Sequence, residues 1–295
     1  MSTSPAPRTR RADNHSMPKG ESIMSQPAFA PEVLAKKSQP THIQDGTQPR
    51  VWNAPQYGFL KLLMLHLGPG GLTTLVYLGL IPLAFRLHLP ALSALLLAIA
   101  AALVPLEMGH LFLQGKRRNG RWSLEGIVLY RPDWRGWRYL LMAVVLGVLS
   151  VAGFALSAPL DRFWQQSAFS WLPAWYIFSD VRQYAQFSRS VLIIVFSARL
   201  LLDGILGPIV EELYFRGYLL PRMSRLGWAA PLLNCALFAL YHFWQPYNLP
   251  TLFFVSLPIV YGVWKTKNVR VGIYTHILLN TVGGISSLLA VLHRA

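Results

Sequence analysis

Cysteine is almost missing: Cys235 stands alone among 295 residues. One thiol excludes an intrachain disulfide and a cysteine-based metal cluster. Charge is also scarce. Asp, Glu, Lys and Arg make up 13% of the chain, against roughly 25% in soluble domains. Acidic residues are the scarcest, 12 against 27 Lys and Arg. The first thirty residues hold no apolar run of the kind a cleavable signal peptide needs, so none is expected. The last residues, LLAVLHRA, lack the cysteine of a lipid-acceptor signal, so the chain is not expected to carry that modification itself. No internal repeat of the inverted-transporter kind is visible.

What is abundant is apolar sequence, 53% of the chain. From Phe59 onward, long apolar runs alternate with short polar links. Such runs, nearly free of charge, indicate transmembrane helices. The expected fold is all-α: a polytopic helical membrane protein of about seven transmembrane helices with a membrane-embedded active site. The spans fall at 71–87, 90–113, 138–157, 189–206 continuing brokenly to 220, 228–245, 250–264 and 270–291. Phe59 to Leu67 is too short to span and is expected to lie at the interface. Residues 1–56 hold eight of the 21 prolines and no apolar run, a composition that cannot bury a core. They are expected to form a disordered cytoplasmic tail, followed by N-terminal helices and an aromatic link over 57–188 and a catalytic core over 189–295.

The formal net charge of +15 raises nucleic-acid binding, but its placement argues against it. Lys116, Arg117, Arg118, Arg121, Arg131, Arg135 and Arg138 fall in one link. Arg222 and Arg225 fall in a second, and Lys265, Lys267 and Arg270 in a third. With seven spans all three links lie on one side, the pattern of positive-inside loops. The expectation is a multi-pass protein of the plasma membrane with a cytoplasmic N-terminus, partnered by the lipid bilayer and not by nucleic acid. The uncharged link QPYNLP and the aromatic link 159–188 fall on the opposite side. Trp164, Trp171, Trp175, Tyr176, Phe178 and Tyr184 suit an anchor at the headgroup level, or a lid over a site inside the bundle.

Ionisable residues inside spans cost about 2.5–3.5 kcal/mol each at a helix centre, so each needs a partner or a role. Arg199 and Asp203 are one turn apart and can pair structurally. Glu107 and His110 have the Glu-x-x-His spacing, but a four-helix metal site needs a second copy and further glutamates. Cys235 has no evident activating environment for a cysteine protease. The stretch EELYFRG differs. Glu212 and Arg216 lie one turn apart and can pair, while Glu211 points about 100° away and is left available for acid–base work. Phe238 and His242 are one turn apart on a later span, and His276 with Asn280 share a face on the last. At about 1.5 Å per residue, Glu211 lies roughly 16 Å deep, His242 about 20 Å, and His276 and Asn280 about 9 and 15 Å. Ordinary helix tilt allows a common layer. Gly204, Gly207 and Pro208 are expected to break or kink the overlong segment 189–220, giving a fresh helix start at Pro208.

EELYFRG matches an EExxxR motif, Phe238 with His242 matches FxxxH, and His276 with Asn280 matches HxxxN. In this order and spacing, over roughly 190–291, the chain resembles the CPBP/Abi family of intramembrane proteases. That family includes type II CAAX prenyl endopeptidases and bacterial immunity-type proteins. The resemblance implies peptide-bond hydrolysis in a membrane-embedded or lipidated peptide substrate. Glu211, helped by His242, would activate a water. Glu212 and Arg216 would form the supporting ion pair, and His276 and Asn280 would stabilise the oxyanion. No cofactor is expected, because an H-E-x-x-H helix is lacking. The alternative is a catalytic zinc on Glu211, His242 and His276. Two rivals use the same residues differently: a non-catalytic immunity or scaffold protein of the same fold, and a carboxylate relay for ions or protons.

Overall fold

The computed structural model describes residues 54–128 and 133–293. They form seven principal helices and no strand: α1 (Phe59–Arg86), α2 (Ala91–Asn119), α3 (Gly136–Ser167), α4 (Arg189–Leu226), α5 (Ala229–Tyr241), α6 (Leu249–Thr266) and α7 (Val269–Leu292). All except α5 are long and apolar enough to cross a membrane. The protein is therefore an all-α, integral, multi-pass membrane protein. The expected tail lies outside the described residues except for 54–56. Of these, the Gln56 side chain donates to the Pro221 carbonyl and accepts from the Arg225 amide. Arg131 also lies outside them.

The links that carry the basic residues meet at one end. The Tyr57 amide donates to the Arg222 carbonyl over 3.1 Å. Arg222 reaches the Ile127 carbonyl, and Arg270 pairs with Asp133. The opposite end is aromatic.

Three expectations about the helices need correction. Phe59 to Leu67 is not a separate interfacial piece but the first part of α1, which runs through GPGG with Pro69 inside it. Membrane helices tolerate such residues when neighbours satisfy the backbone. Here the glycine serves packing: a Cβ on Gly70 would overlap the Tyr241 carbonyl oxygen, so α1 and α5 can touch only at a bare backbone. Second, α4 is not broken at Gly204, Gly207 and Pro208. It is continuous and contains two wide π-helical stretches, Leu202–Leu206 and Glu212–Leu219. The first ends just before Pro208, where the i→i+5 pattern absorbs the missing N–H and the ring clash of proline. Third, α5 does not extend to residue 245. It stops at Tyr241 after 13 residues, about 20 Å of rise, and His242 leaves it with φ −80° and ψ 55°.

α3 is longer than the expected span. Its buried positions are mostly small, including Ala143, Gly147, Ser150, Gly153 and Ser157. These let α6 approach closely, as small residues do between membrane helices. The Ser150 hydroxyl donates to the Val255 carbonyl over 2.8 Å, and Asp161 accepts from the Thr251 amide and hydroxyl at the start of α6.

Trp164 lies on α3, and the aromatic link proper follows it. The link is folded inward rather than spread only along an interface. Tyr176 and Tyr184 are buried. The Tyr176 hydroxyl donates to the Phe243 carbonyl over 2.9 Å, and the Phe178 amide donates to the Tyr247 hydroxyl over 3.0 Å. Trp171 faces outward, 73% exposed. The link thus packs over 242–248, the segment that continues α5 without a helix.

Candidate active site

Three helices bring the motif residues together. α4 supplies Glu211, Glu212 and Arg216. The end of α5 supplies Phe238 and His242, and α7 supplies His276 and Asn280. Glu211, Glu212, Arg216 and His242 are buried, while His276 and Asn280 are half-buried. Glu211, His242, His276 and Asn280 line one cavity of about 450 Å³.

The two glutamates have different surroundings. Glu212 Oε1 lies 3.3 Å from Arg216 Nη1 and 3.1 Å from His276 Nδ1. Arg216 is also stacked 3.9 Å from the centre of the Phe238 ring. A carboxylate, a guanidinium and an aromatic face therefore neutralise and cover one another away from water. Glu211 faces the cavity. Its Oε1 lies 3.8 Å from His242 Nε2, and its Oε2 lies 3.9 Å from His276 Nε2. Both gaps exceed a direct hydrogen bond and invite an intervening water.

The distant ring nitrogens fix the tautomers. His242 Nδ1 lies 2.8 Å from the Phe238 carbonyl, an acceptor only, so Nδ1 carries a proton. His276 Nδ1 faces Glu212 in the same sense. In the neutral rings both Nε2 atoms then present lone pairs to Glu211. The FxxxH spacing has a clear cause: one turn places the Phe238 carbonyl under the His242 ring, which meets the Phe238 ring edge-on at 4.8 Å.

Asn280 is placed differently from the expected oxyanion donor. Its Nδ2 donates to the Asp203 carbonyl over 2.9 Å. That carbonyl belongs to the first π stretch, where the irregular winding leaves acceptors available. Asn234 serves the second stretch in the same way, donating to the Phe215 carbonyl over 3.1 Å. Asn280 therefore holds α4 to α7 while its second N–H is left for the cavity.

Several contributors were not apparent from the motifs. The Tyr241 hydroxyl donates to Glu211 Oε1 over 3.2 Å. Its adjacency to His242 was the available signal. A Cβ on Gly272 would collide with Glu212 Oε2, so this glycine, one turn before His276, makes room for the carboxylate. Glu107 is fully buried near Tyr241 and Glu211. His110 instead lies 3.2 Å from the Tyr218 hydroxyl, so the two do not act as a joint ligand pair. Cys235 is buried, with its thiol 3.2 Å from the Phe253 carbonyl. Arg199 Nε pairs with Asp203 Oδ2 at 3.2 Å as expected, and both residues also line the cavity.

With this geometry in place, comparison with known families becomes informative. Residues 192–282 match the family Rce1-like, described as type II CAAX prenyl endopeptidase Rce1-like. The matched segment contains all six motif residues and agrees with the CPBP/Abi resemblance of the sequence. No curated protein and no solved structure matches the chain significantly.

The zinc alternative has suitable donor types, and anchored Nδ1 atoms are common among ligand histidines. The spacing is less suitable. Two donors of a tetrahedral zinc, each about 2.0–2.1 Å from the metal, lie about 3.3 Å apart, whereas the pairs here lie at 3.8 and 3.9 Å. Among the described residues no group of three His, Cys, Asp or Glu is arranged to hold a metal ion.

Proposed function

We propose that this protein is an intramembrane endopeptidase that hydrolyses a peptide bond in a membrane-embedded or lipidated, CAAX-type peptide. The family match supports a CAAX-type endopeptidase at the family level. The observation that carries the reading is the carboxylate of Glu211, placed between two imidazole Nε2 atoms at the wall of a cavity.

In this mechanism a water between Glu211 and His242 gives a proton to Glu211 as its oxygen attacks the scissile carbonyl. Glu211 then returns the proton to the departing amine. His242 Nε2 accepts the water's other hydrogen and orients it. The second N–H of Asn280 donates to the oxyanion. His276 donates through Nε2 when its ring is doubly protonated, with Glu212 as the counter-charge at Nδ1. Glu212 and Arg216 hold the geometry, and Tyr241 fixes the Glu211 carboxylate. The basic end of the bundle is assigned to the cytoplasm under the positive-inside rule, which puts the N-terminus there.

The test is cleavage of defined lipidated and unlipidated peptides by the purified protein in bilayers. Glu211→Ala and His242→Ala should each lower the rate by about 10²-fold or more. Cleavage unchanged in both variants would sink the mechanism. Chelation decides the zinc reading, which the anchored Nδ1 atoms favour: activity lost to a chelator and restored by zinc would replace the metal-free route.

A further inference from the structure

Arg199 has a role that the Glu211 chemistry does not use. It is the sole Lys or Arg among the cavity-lining residues. Its guanidinium is held at one point, through Nε to Asp203 Oδ2 at 3.2 Å, and Phe196 lies beneath it at 5.9 Å. Among the described residues no other hydrogen bond involves Arg199, so its terminal Nη1 and Nη2 edge is uncommitted. That edge is the fork that binds a carboxylate bidentately.

Its position relative to Glu211 is set by the first π stretch. Twelve residues separate 199 from 211. In a regular α-helix twelve steps of about 100° would leave the two side chains about 120° apart. The i→i+5 turn at Leu202–Leu206 takes in one extra residue. Twelve positions then count as eleven, and the offset falls to about 20°. This rewinding brings Arg199 and Glu211 to the same cavity wall. Along the axis they are about 18 Å apart, and each side chain takes up several ångströms of that distance. What is left matches the roughly 10 Å spanned by three extended residues.

Resting on the endopeptidase reading above, we propose that Arg199 is a specificity-determining residue that binds the free C-terminal carboxylate of the substrate. It would set the scissile bond about three residues from the chain end. Asp203 holds the guanidinium in place and, as a second anion beside it, weakens the hold on the product so that it can leave.

The test uses full-length protein in nanodiscs and apolar peptides identical in sequence, ending either in a carboxylate or in a carboxamide. Binding is measured on the Glu211→Gln background and cleavage on the native enzyme. The acid should bind at least tenfold tighter than the amide, and its KM should be lower by a similar factor. Arg199→Gln should abolish the ratio, Arg199→Lys should keep part of it, and Asp203→Asn should increase it. Because the acid-to-amide ratio is internal to each variant, lower folded yield does not move it. Equal binding of acid and amide by Glu211→Gln, or a ratio that survives Arg199→Gln, overturns the proposal. Cleavage of both peptides at equal KM overturns it while leaving the endopeptidase reading intact. Acid-selective binding by Glu211→Gln without cleavage by the native enzyme supports the Arg199 site and removes the endopeptidase reading instead.

Discussion

Helices α3 and α4 are both long apolar rods that cross the same bundle, and they solve opposite problems. Around its middle, α3 holds no ionisable residue. It presents Val148 and Leu149 outward and keeps Gly147, Ser150 and Gly153 inward. Its winding is regular throughout. α4 carries Arg199, Asp203, Glu211, Glu212 and Arg216, and its winding changes twice. A regular helix offers one fixed angular relation between neighbours. A helix with inserted residues can direct two clusters, one turn or several apart, to a common face. The cost is a set of backbone acceptors that Asn280 and Asn234 must satisfy from other helices. Apolar sequence thus builds a wall in one helix and a carrier for charge in the other.

The largest test of this contrast is Glu211→Gln on α4 against Leu149→Ala on the outer face of α3. The first should lower peptide cleavage by about 10³-fold, within the span of acid–base contributions. The second should leave the rate unchanged in the same assay. Next, Arg216→Ala strands the Glu212 carboxylate among apolar groups. The expected loss is about 3–5 kcal/mol of stability, read as a lower melting midpoint in detergent. Replacing both partners, Glu212→Gln with Arg216→Met, should recover much of that midpoint without recovering cleavage.

Two glycines separate packing from chemistry at similar steric cost. Cβ atoms on Gly153 and Gly272 would meet the Phe254 carbonyl and the Glu212 carboxylate, respectively. Each Gly→Ala change should cost about 1–3 kcal/mol through overpacking. Gly153→Ala should keep full kcat per folded molecule, whereas Gly272→Ala should lose kcat as well. Tyr241→Phe is the mildest change. It removes one hydroxyl donor from Glu211 and should slow cleavage about tenfold, equivalent to about 1.4 kcal/mol, with folding intact by circular dichroism.

Much of this was legible in the sequence because charge is rare in it. Against an apolar background, EELYFRG and the two histidine motifs are prominent, and their i,i+4 spacing gives the shared faces directly. The membrane class and the clustering of the basic links follow from the same scarcity. The misreadings occurred where backbone irregularity carries the meaning. GPGG suggested a break before α1 because proline and glycine usually interrupt helices, and the bare backbone that Tyr241 requires is a tertiary demand. The segment at Gly204 to Pro208 suggested a break for the same reason, although a wide turn accommodates it. Asn280 shares a face with His276, and spacing alone could not reveal that the Asp203 carbonyl would take one of its N–H groups.

The early stop of α5 has a mechanical consequence. One column of the bundle is half rod and half loop, so stiffness falls abruptly at His242. The loop is coupled by a hydrogen bond from Tyr176 to the carbonyl of Phe243, the very next residue. Any load on the aromatic roof is therefore delivered within one peptide unit of the imidazole. The position of the roof and the aim of His242 form a single degree of freedom.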